Sequence, residues 1–282
     1  MAIFKNTAAV VVLYNPVKDI LEYTETYRKY IDKLYIIDNS PQTNNDIITL
    51  LVAFHNVILL HKGENIGIAN ALNLALKQAG GDGYRWLLTF DQDTFYPQNN
   101  FVTFMEEALN INQKLVAQIS PLHNKKLIDT NIQTSFLKKT FVMTSASMIN
   151  IAIAQSIGGF DKNLFIDEVD HDFCFRLAQH GYYTLIHTKI AVEHTLGEPH
   201  PFHKKIRLYP PERHYYMIRN YLYIRKKYYK DQIIFFKKRD LYLLKFFIYQ
   251  LFYGEKPYKS MMMISRGIID YYKHRYGKGS LL

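Results

Sequence analysis

Residues 8–14, Ala-Ala-Val-Val-Val-Leu-Tyr, form an unbroken apolar run rich in β-branched side chains. A strand with no polar position has no face to give to water. It must be covered on both sides, as strands are in a parallel sheet flanked by helices. The segments that follow repeat the theme. Asn15-Pro16 stops the run, and Val17, Ile20, Leu21, Thr24, Tyr27 and Ile31 then recur at helical spacing. Residues 34–37 read as a second strand closed by Asp38-Asn39-Ser40-Pro41, residues 45–54 as a helix and residues 57–60 as a third strand. The loop at 63–67 leads into a helix over 68–79, ended by Gly80-Gly81-Asp82-Gly83. Residues 86–90 are a fourth strand closed by Asp91-Gln92-Asp93. Strand and helix in strict alternation specify a doubly wound α/β layer, which binds its ligands outside the carboxyl ends of the strands. The polar residues that end these strands, Tyr14-Asn15, Asp38-Asn39 and Asp91-Gln92-Asp93, would then meet at one edge.

Further along, residues 114–149 read as mixed strand and loop, with 141–149 the clearest strand. Gly158-Gly159-Phe160-Asp161 is a turn, and residues 167–180 a helix ended by Gly181. Short strands are expected at 182–186 and 190–192. Amphipathic helices are expected at 211–229, 232–253 and 258–275.

Charge divides the chain. Residues 201–282 hold 19 Lys/Arg against 5 Asp/Glu, a balance of +14, with 14 of the 23 Tyr, whereas residues 1–200 balance at −4. The expected organisation is a catalytic or binding domain over 1–200 and a helical, basic and aromatic region over 201–282. Such a region suits an anionic partner, and its alternative use is a subunit interface. The chain has 282 residues, 48% of them hydrophobic, enough for a sizeable core. Its one cysteine, Cys174, excludes an intrachain disulfide and a cysteine-based zinc site and suits a reducing compartment. The first residues lack the pattern of a signal peptide, and no run of about 18 apolar residues predicts a membrane-spanning helix. The expected location is cytoplasmic, peripheral at the inner face of the plasma membrane.

Four groups of residues carry chemistry. Asp91 and Asp93 end a buried strand, where two carboxylates suit a hard divalent cation such as Mg2+ or Mn2+; the plain alternative is a solvated acidic loop. Asn65-Ile66-Gly67-Ile68-Ala69 lies at a loop-to-helix junction, which serves either as an anion site or as a helix cap. Asp167, Glu168, Asp170 and Asp172 place four acids in six residues at a helix start. Acids there complement the helix dipole, but four exceed what capping needs. On a helix, Asp167 and Asp170 would share a face, and like charges would raise a carboxyl pKa toward that of a general base. His194 follows a short strand; a lone histidine is more often structural than a ligand.

Taken in order, Leu13-Tyr14-Asn15-Pro16, Ile37-Asp38-Asn39-Ser40, Asn65-Ile66-Gly67, Phe90-Asp91-Gln92-Asp93, Gly158-Gly159-Phe160-Asp161, Phe165-Ile166-Asp167-Glu168-Val169-Asp170 and His194-Thr195-Leu196-Gly197 resemble a family 2 glycosyltransferase of the GT-A fold. Within that family the likeness is greatest to bacterial rhamnosyltransferases of cell-surface polysaccharide assembly, and it covers roughly residues 8–220. The resemblance implies an α/β GT-A (Rossmann-like) fold with a mixed, mostly parallel sheet and a helical C-terminal region. It implies that Tyr14, Asn15 and Asp38 line the nucleotide, with Asp38 reading a pyrimidine edge, and that Asn65, Gly67, Ala69, Asp91 and Gln92 lie along the nucleotide and its diphosphate. Asp93, Asp91 and His194 would hold the metal. Asp170 falls on the catalytic-base position when the helix is anchored on Arg176, with Asp167 the runner-up. Arg213, Tyr216 and Arg219 fall in a segment that could meet diphosphate or acceptor, or simply form a basic helix face.

The implied reaction is inverting, metal-dependent transfer of a sugar, rhamnose from dTDP-rhamnose first, to a hydroxyl of a lipid-linked or polysaccharide acceptor. A UDP-sugar donor (galactofuranosyl, glucosyl or galactosyl) is the alternative. A nucleic-acid-binding module would explain the basic tail but leaves the acids at the strand ends without purpose. A nucleotidyltransferase would need a glycine-rich, basic triphosphate loop near the first strand, and none is present.

Overall fold

The computed structural model describes residues 4–97, 99–111, 114–124, 134–194, 198–199 and 207–280. The chain forms two compact units. The first comprises Met1–Asp161 with Asp170–Thr195, the second Lys162–Val169 with Leu196–Leu282.

In the first unit, β1 (Phe4–Leu13) lies between β2 (Ile31–Asp38) and β4 (Trp86–Asp91), parallel to both, and β3 (Val57–His61) lies beyond β2. Residues 8–13 are buried throughout, as a central strand covered on both faces requires. Helices α1 (Asp19–Arg28), α2 (Asn45–Val52) and α3 (Ile68–Gly81) make the crossovers, and the Asn44 side chain caps α2 at the Ile47 N–H. β1 has β2 on one side and β4 on the other, so the strand order reverses there and leaves a crevice outside the carboxyl ends. Tyr27 of α1 stacks on Phe90 of β4, with ring centroids 3.8 Å apart, and Phe101 and Phe104 of α4 (Asn100–Leu109) complete that core.

Beyond β4 the sheet turns mixed. The order is β3-β2-β1-β4-β8-β6-β9-β5, where β5 is Thr94–Phe95, β6 Val116–His123, β8 Ser147–Asn150 and β9 Tyr183–His194; β7 (Phe136–Lys139) also pairs with β9. β8 is antiparallel to β4 and β6, whereas β6 and β9 run parallel. The short helix α5 (Ile151–Ser156) follows β8, and α6 spans Val169–Gln179.

Three sequence expectations change here. Residues 141–149 are not one strand: only Ser147–Asn150 pairs, and residues 144–146 turn, with Ala146 at φ +57°. The two short strands at 182–186 and 190–192 are one strand with a bulge. His187-Thr188-Lys189 reads as a break because it is polar. In the fold, His187 Nδ1 accepts the N–H groups of Lys189 and Ile190, and the Thr188 N–H donates to the Ser135 carbonyl. Burial lowers the His187 pKa, which keeps that nitrogen an acceptor. Finally, α6 starts at Val169, so Asp167 lies outside it.

The second unit holds α7 (Pro211–Tyr228), α8 (Ile233–Tyr253) and α9 (Pro257–Tyr272), with a short antiparallel pair, β10 (Glu198–Pro199) and β11 (Arg207–Leu208). Gly267 admits α7 against α9: a Cβ there would lie 2.6 Å from the Tyr215 carbonyl oxygen. Arg219 is fully buried, and its guanidinium donates to Asn220 Oδ1, the Tyr215 hydroxyl and the Arg275 and Gly277 carbonyls. Tyr216 stacks on Phe165, and its hydroxyl accepts the Gly279 N–H. Both side chains thus contribute to this unit's own packing. Among the described residues no helix is long and apolar enough to cross a membrane.

Candidate active site

The strand ends of the first unit are tied together by side chains reaching backbone groups. The Gln92 amide bonds twice to Tyr14, accepting its N–H at 2.8 Å and donating to its carbonyl at 3.0 Å. That fixes the turn after β1, where Asn15 is left-handed at φ +47° and donates its N–H to Ser40 Oγ at 2.7 Å. The Ser40 N–H in turn donates to Asp38 Oδ1 at 3.0 Å. Asn39 Oδ1 accepts the Ile66 N–H at 3.3 Å, which joins the end of β2 to the loop before α3. Asn65 Oδ1 accepts the Gly67 N–H, and Gly67 takes φ +80° to start α3, with Ala69 buried in the first turn. Tyr14, Asn15, Asp38, Asn65, Gly67 and Gln92 are therefore parts of one edge.

Asp38 is fully buried, and among the described residues its Oδ2 has no hydrogen-bond partner. Buried polar atoms are nearly always paired, which makes this oxygen a candidate acceptor for a ligand or a water.

Asp91, Asp93 and His194 form a group whose ligand atoms lie within 4.8 Å of one another. β5 pairs antiparallel with the end of β9, Thr94 opposite His194, and this pairing brings the histidine to the acids. His194 Nδ1 lies 3.2 Å from Asp93 Oδ1, and Nε2 lies 3.9 Å from Asp91 Oδ2. Burial pulls the His194 pKa down, but the Asp93 hydrogen bond and the charges of Asp91, Asp93 and Asp170 outweigh it and raise the pKa above its usual value. Two carboxylates and an imidazole converging on a small volume fit a Mg2+ or Mn2+ ion, which takes oxygen donors and tolerates a nitrogen.

Several supporting residues carried no motif signal. Ser145 Oγ accepts the Asp91 N–H at 2.9 Å and lies 2.6 Å from Thr94 Oγ1, which also reaches His194 Nδ1. The Asn124 side chain holds the His194 backbone at both its N–H and its carbonyl. Thr144 donates to Asp170 Oδ1. Thr144 and Ser145 lie on the turn that replaces the expected strand. Of the family-like motif that His194 opens, Thr195, Leu196 and Gly197 lie outside the described residues.

The four acids around α6 have separate partners. Asp172 is fully buried and pairs with Arg176 at 2.8 Å, whose other donors reach the Ile157 and Gly159 carbonyls. Asp167 accepts from Arg213 at 2.9 Å and Glu168 from Arg239 at 2.9 Å, both within the second unit. Asp167 and Glu168 are left-handed, at φ +64° and +62°, a conformation costing about 1–3 kcal/mol for each non-glycine residue. The two residues of the expected pair, Asp167 and Asp170, thus share no helix face. Of these four acids, Asp170 is the one whose charge reaches His194. Arg176→Met removes the arginine partner of the buried Asp172 carboxylate. It is expected to cost about 3–5 kcal/mol, read as a lower denaturant midpoint.

A parallel β3-β2-β1-β4 half, a mixed continuation and an acidic pair at the end of β4 define a GT-A type α/β fold. The chain belongs to glycosyl transferase family 2, whose pattern matches residues 8–173. The dTDP-rhamnosyl transferase RfbF of Shigella flexneri is 28% identical over 247 residues, which cover 78% of this chain and 80% of that one. GalNAc-T7, in a crystal structure with UDP, GalNAc and Mn2+, shares the fold at a TM-score of 0.55 and 13% identity. Residues 1–349 of S. aureus TarS, in complex with UDP-GlcNAc, share it at 0.52 and 15%. These matches cover 67% and 76% of this chain but only 42% and 64% of those chains.

Proposed function

We propose that this glycosyltransferase is inverting and metal-dependent and moves rhamnose from dTDP-rhamnose to a hydroxyl of a lipid-linked or polysaccharide acceptor. The observation that carries the reading is the convergence of Asp91, Asp93 and His194, whose imidazole also feels the Asp170 charge, at the edge where the strand ends are tied together. The sugar and nucleotide are carried over from the relative's name, and a UDP-sugar donor is the alternative.

Asp38 Oδ2 would accept the imino N–H of a pyrimidine base, which supplies the missing donor. Tyr14 and Asn15, exposed beside it, would line the nucleotide. Asn65 and Gly67 would shape the backbone that meets the diphosphate. Asp91, Asp93 and His194 would hold a divalent cation, which when bound offsets the charge growing on the leaving diphosphate. Asp170 would take the proton from the acceptor hydroxyl as its oxygen bonds to the anomeric carbon and the bond to the diphosphate breaks. The Thr144 hydroxyl orients that carboxylate.

A lipid-linked acceptor implies work at a membrane surface, and α8 suits it. Ile234, Leu241, Lys245, Ile248 and Phe252 share one face at helical spacing, Phe252 being 80% exposed. Lys237 and Lys238 flank that face, and Asp240, the one acid of α8, is bound to Arg225. Apolar side chains among lysines fit the boundary of an anionic bilayer. A two-fold dimer through the same face would set lysine against lysine. Pelleting with phosphatidylglycerol vesicles is expected to fall as salt rises and to be lost in Leu241→Ser/Phe252→Ser; no pelleting at low salt overturns this part.

The donor is tested by thermal stability with dTDP, UDP or GDP, each with and without Mn2+. A ligand at about 100 times its dissociation constant adds about 2.7 kcal/mol to the folded state. Mn2+-dependent stabilisation by dTDP above UDP is expected. The reverse order moves the donor to a UDP-sugar, and no shift with any nucleotide removes the proposed donor site.

A further inference from the structure

We propose that Arg213 and Arg239 are positioning residues for Asp170. They hold Asp167 and Glu168 as a left-handed pair directly before α6, and the backbone so fixed leads through Val169 into Asp170. The proposal rests on the reading of Asp170 as the proton acceptor.

Two successive non-glycine residues with positive φ do not persist unaided, and a glutamate has no short side chain to stabilise that conformation locally. What surrounds the pair over-determines it. Arg213 Nη2 donates to Asp167 Oδ1 at 2.9 Å, and its Nε lies 3.3 Å from both carboxylate oxygens. Arg239 Nη2 donates to Glu168 Oε1 at 2.9 Å, where the glutamate side chain is 3% exposed. One residue earlier, Asn220 Nδ2 donates to the Ile166 carbonyl at 2.6 Å, and before that Phe165 stacks on Tyr216. Every one of these partners lies on α7 or α8. The segment 165–168 is therefore set by the C-terminal helices, and the chain passes from it directly through Val169 into Asp170.

The same contacts explain why four acids are crowded into six residues. Two of them, Asp167 and Glu168, are handles for arginines, Asp172 is the handle for Arg176, and Asp170 faces Thr144. Stability alone does not account for a buried ion pair, since a well-packed apolar pair of similar volume serves as well; an arginine fork adds geometry. Geometry is what a proton acceptor requires, because a misplacement of about 1 Å can cost about 100-fold in rate.

The test uses the full chain, with dTDP-rhamnose (or the UDP-sugar, if UDP is the nucleotide bound) as donor. Turnover is read as nucleoside diphosphate release, nucleotide affinity by calorimetry with Mn2+, and backbone order by hydrogen exchange over residues 164–172. Arg239→Gln is expected to lower kcat about 10- to 100-fold, with nucleotide affinity within about twofold of the parent and faster exchange over 164–172. Adding Glu168→Asn is expected to restore most of kcat, because asparagine tolerates the left-handed conformation and no charge is left unpaired. Should Arg239→Gln fail to fold, Arg213→Gln, at a half-exposed site, carries the same expectation. Unchanged kcat in the folded variants overturns the proposal, as does a parallel loss of nucleotide affinity and kcat. Asp170→Asn separates the two levels. If it is active, the reading of the base falls, and this proposal with it. If it is inactive while Arg239→Gln is fully active, the positioning role alone falls.

Discussion

Asp170→Asn is expected to lower turnover by about 10²- to 10⁴-fold, the usual contribution of a general base. The substitution is nearly isosteric, and its amide oxygen can still accept the Thr144 hydroxyl, so α6 keeps its place. What is lost is the capacity to take a proton. Nucleotide affinity should not change, because the residues proposed to line the nucleotide are Tyr14, Asn15, Asp38, Asn65 and Gly67. Single-turnover kinetics beside a dTDP titration separate the two quantities. Asp167→Asn keeps an acceptor for Arg213 and should lose far less. Near-parental turnover in Asp170→Asn would make Asp167 the candidate base.

Asp93→Ala is expected to reduce turnover about 1,000-fold and to abolish the Mn2+-dependent part of nucleotide stabilisation. Charge stabilisation by a bound cation contributes several kcal/mol to a transition state, and each 1.4 kcal/mol or so is tenfold in rate. The Asp93 side chain is only partly buried, and its partner in the structure is His194. The fold should therefore survive the change, with an unfolding midpoint close to that of the parent in the absence of metal. The decisive comparison is thermal stability with nucleotide alone against nucleotide plus Mn2+. A variant that keeps the full Mn2+ increment would show that Asp93 does not hold the cation.

The parallel half of the sheet was legible because its signals are local. An unbroken apolar run such as residues 8–13 can only be a doubly covered strand, and the apolar spacing of α1 and α3 marks the crossovers. Topology then places the ends of β1, β2 and β4 together, so Tyr14, Asn15, Asp38 and the Asp91–Asp93 pair could be named as neighbours from sequence. The C-terminal helices were legible for the same reason, to within a few residues at their ends. The mixed half was not. Its strands are short or bulged, and residues 141–146 are apolar enough to resemble a strand while in fact reaching the turn that supplies Thr144 and Ser145.

The sequence by itself determined that this chain would fold as an alternating α/β layer with an acidic, ligand-facing edge and a basic helical tail. Periodicity is written among residues two to four apart, and composition is visible without any fold. Only the tertiary structure decided which acid meets which partner. Asp170 parts from Asp167, Glu168 and Asp172 because Arg213, Arg239 and Arg176 claim the other three, and two of those arginines lie 46 and 71 residues away. His194 likewise joins Asp91 and Asp93 only because β5 pairs with β9, about a hundred residues on. Contacts at such separations are chosen by packing and strand pairing, which no local pattern records.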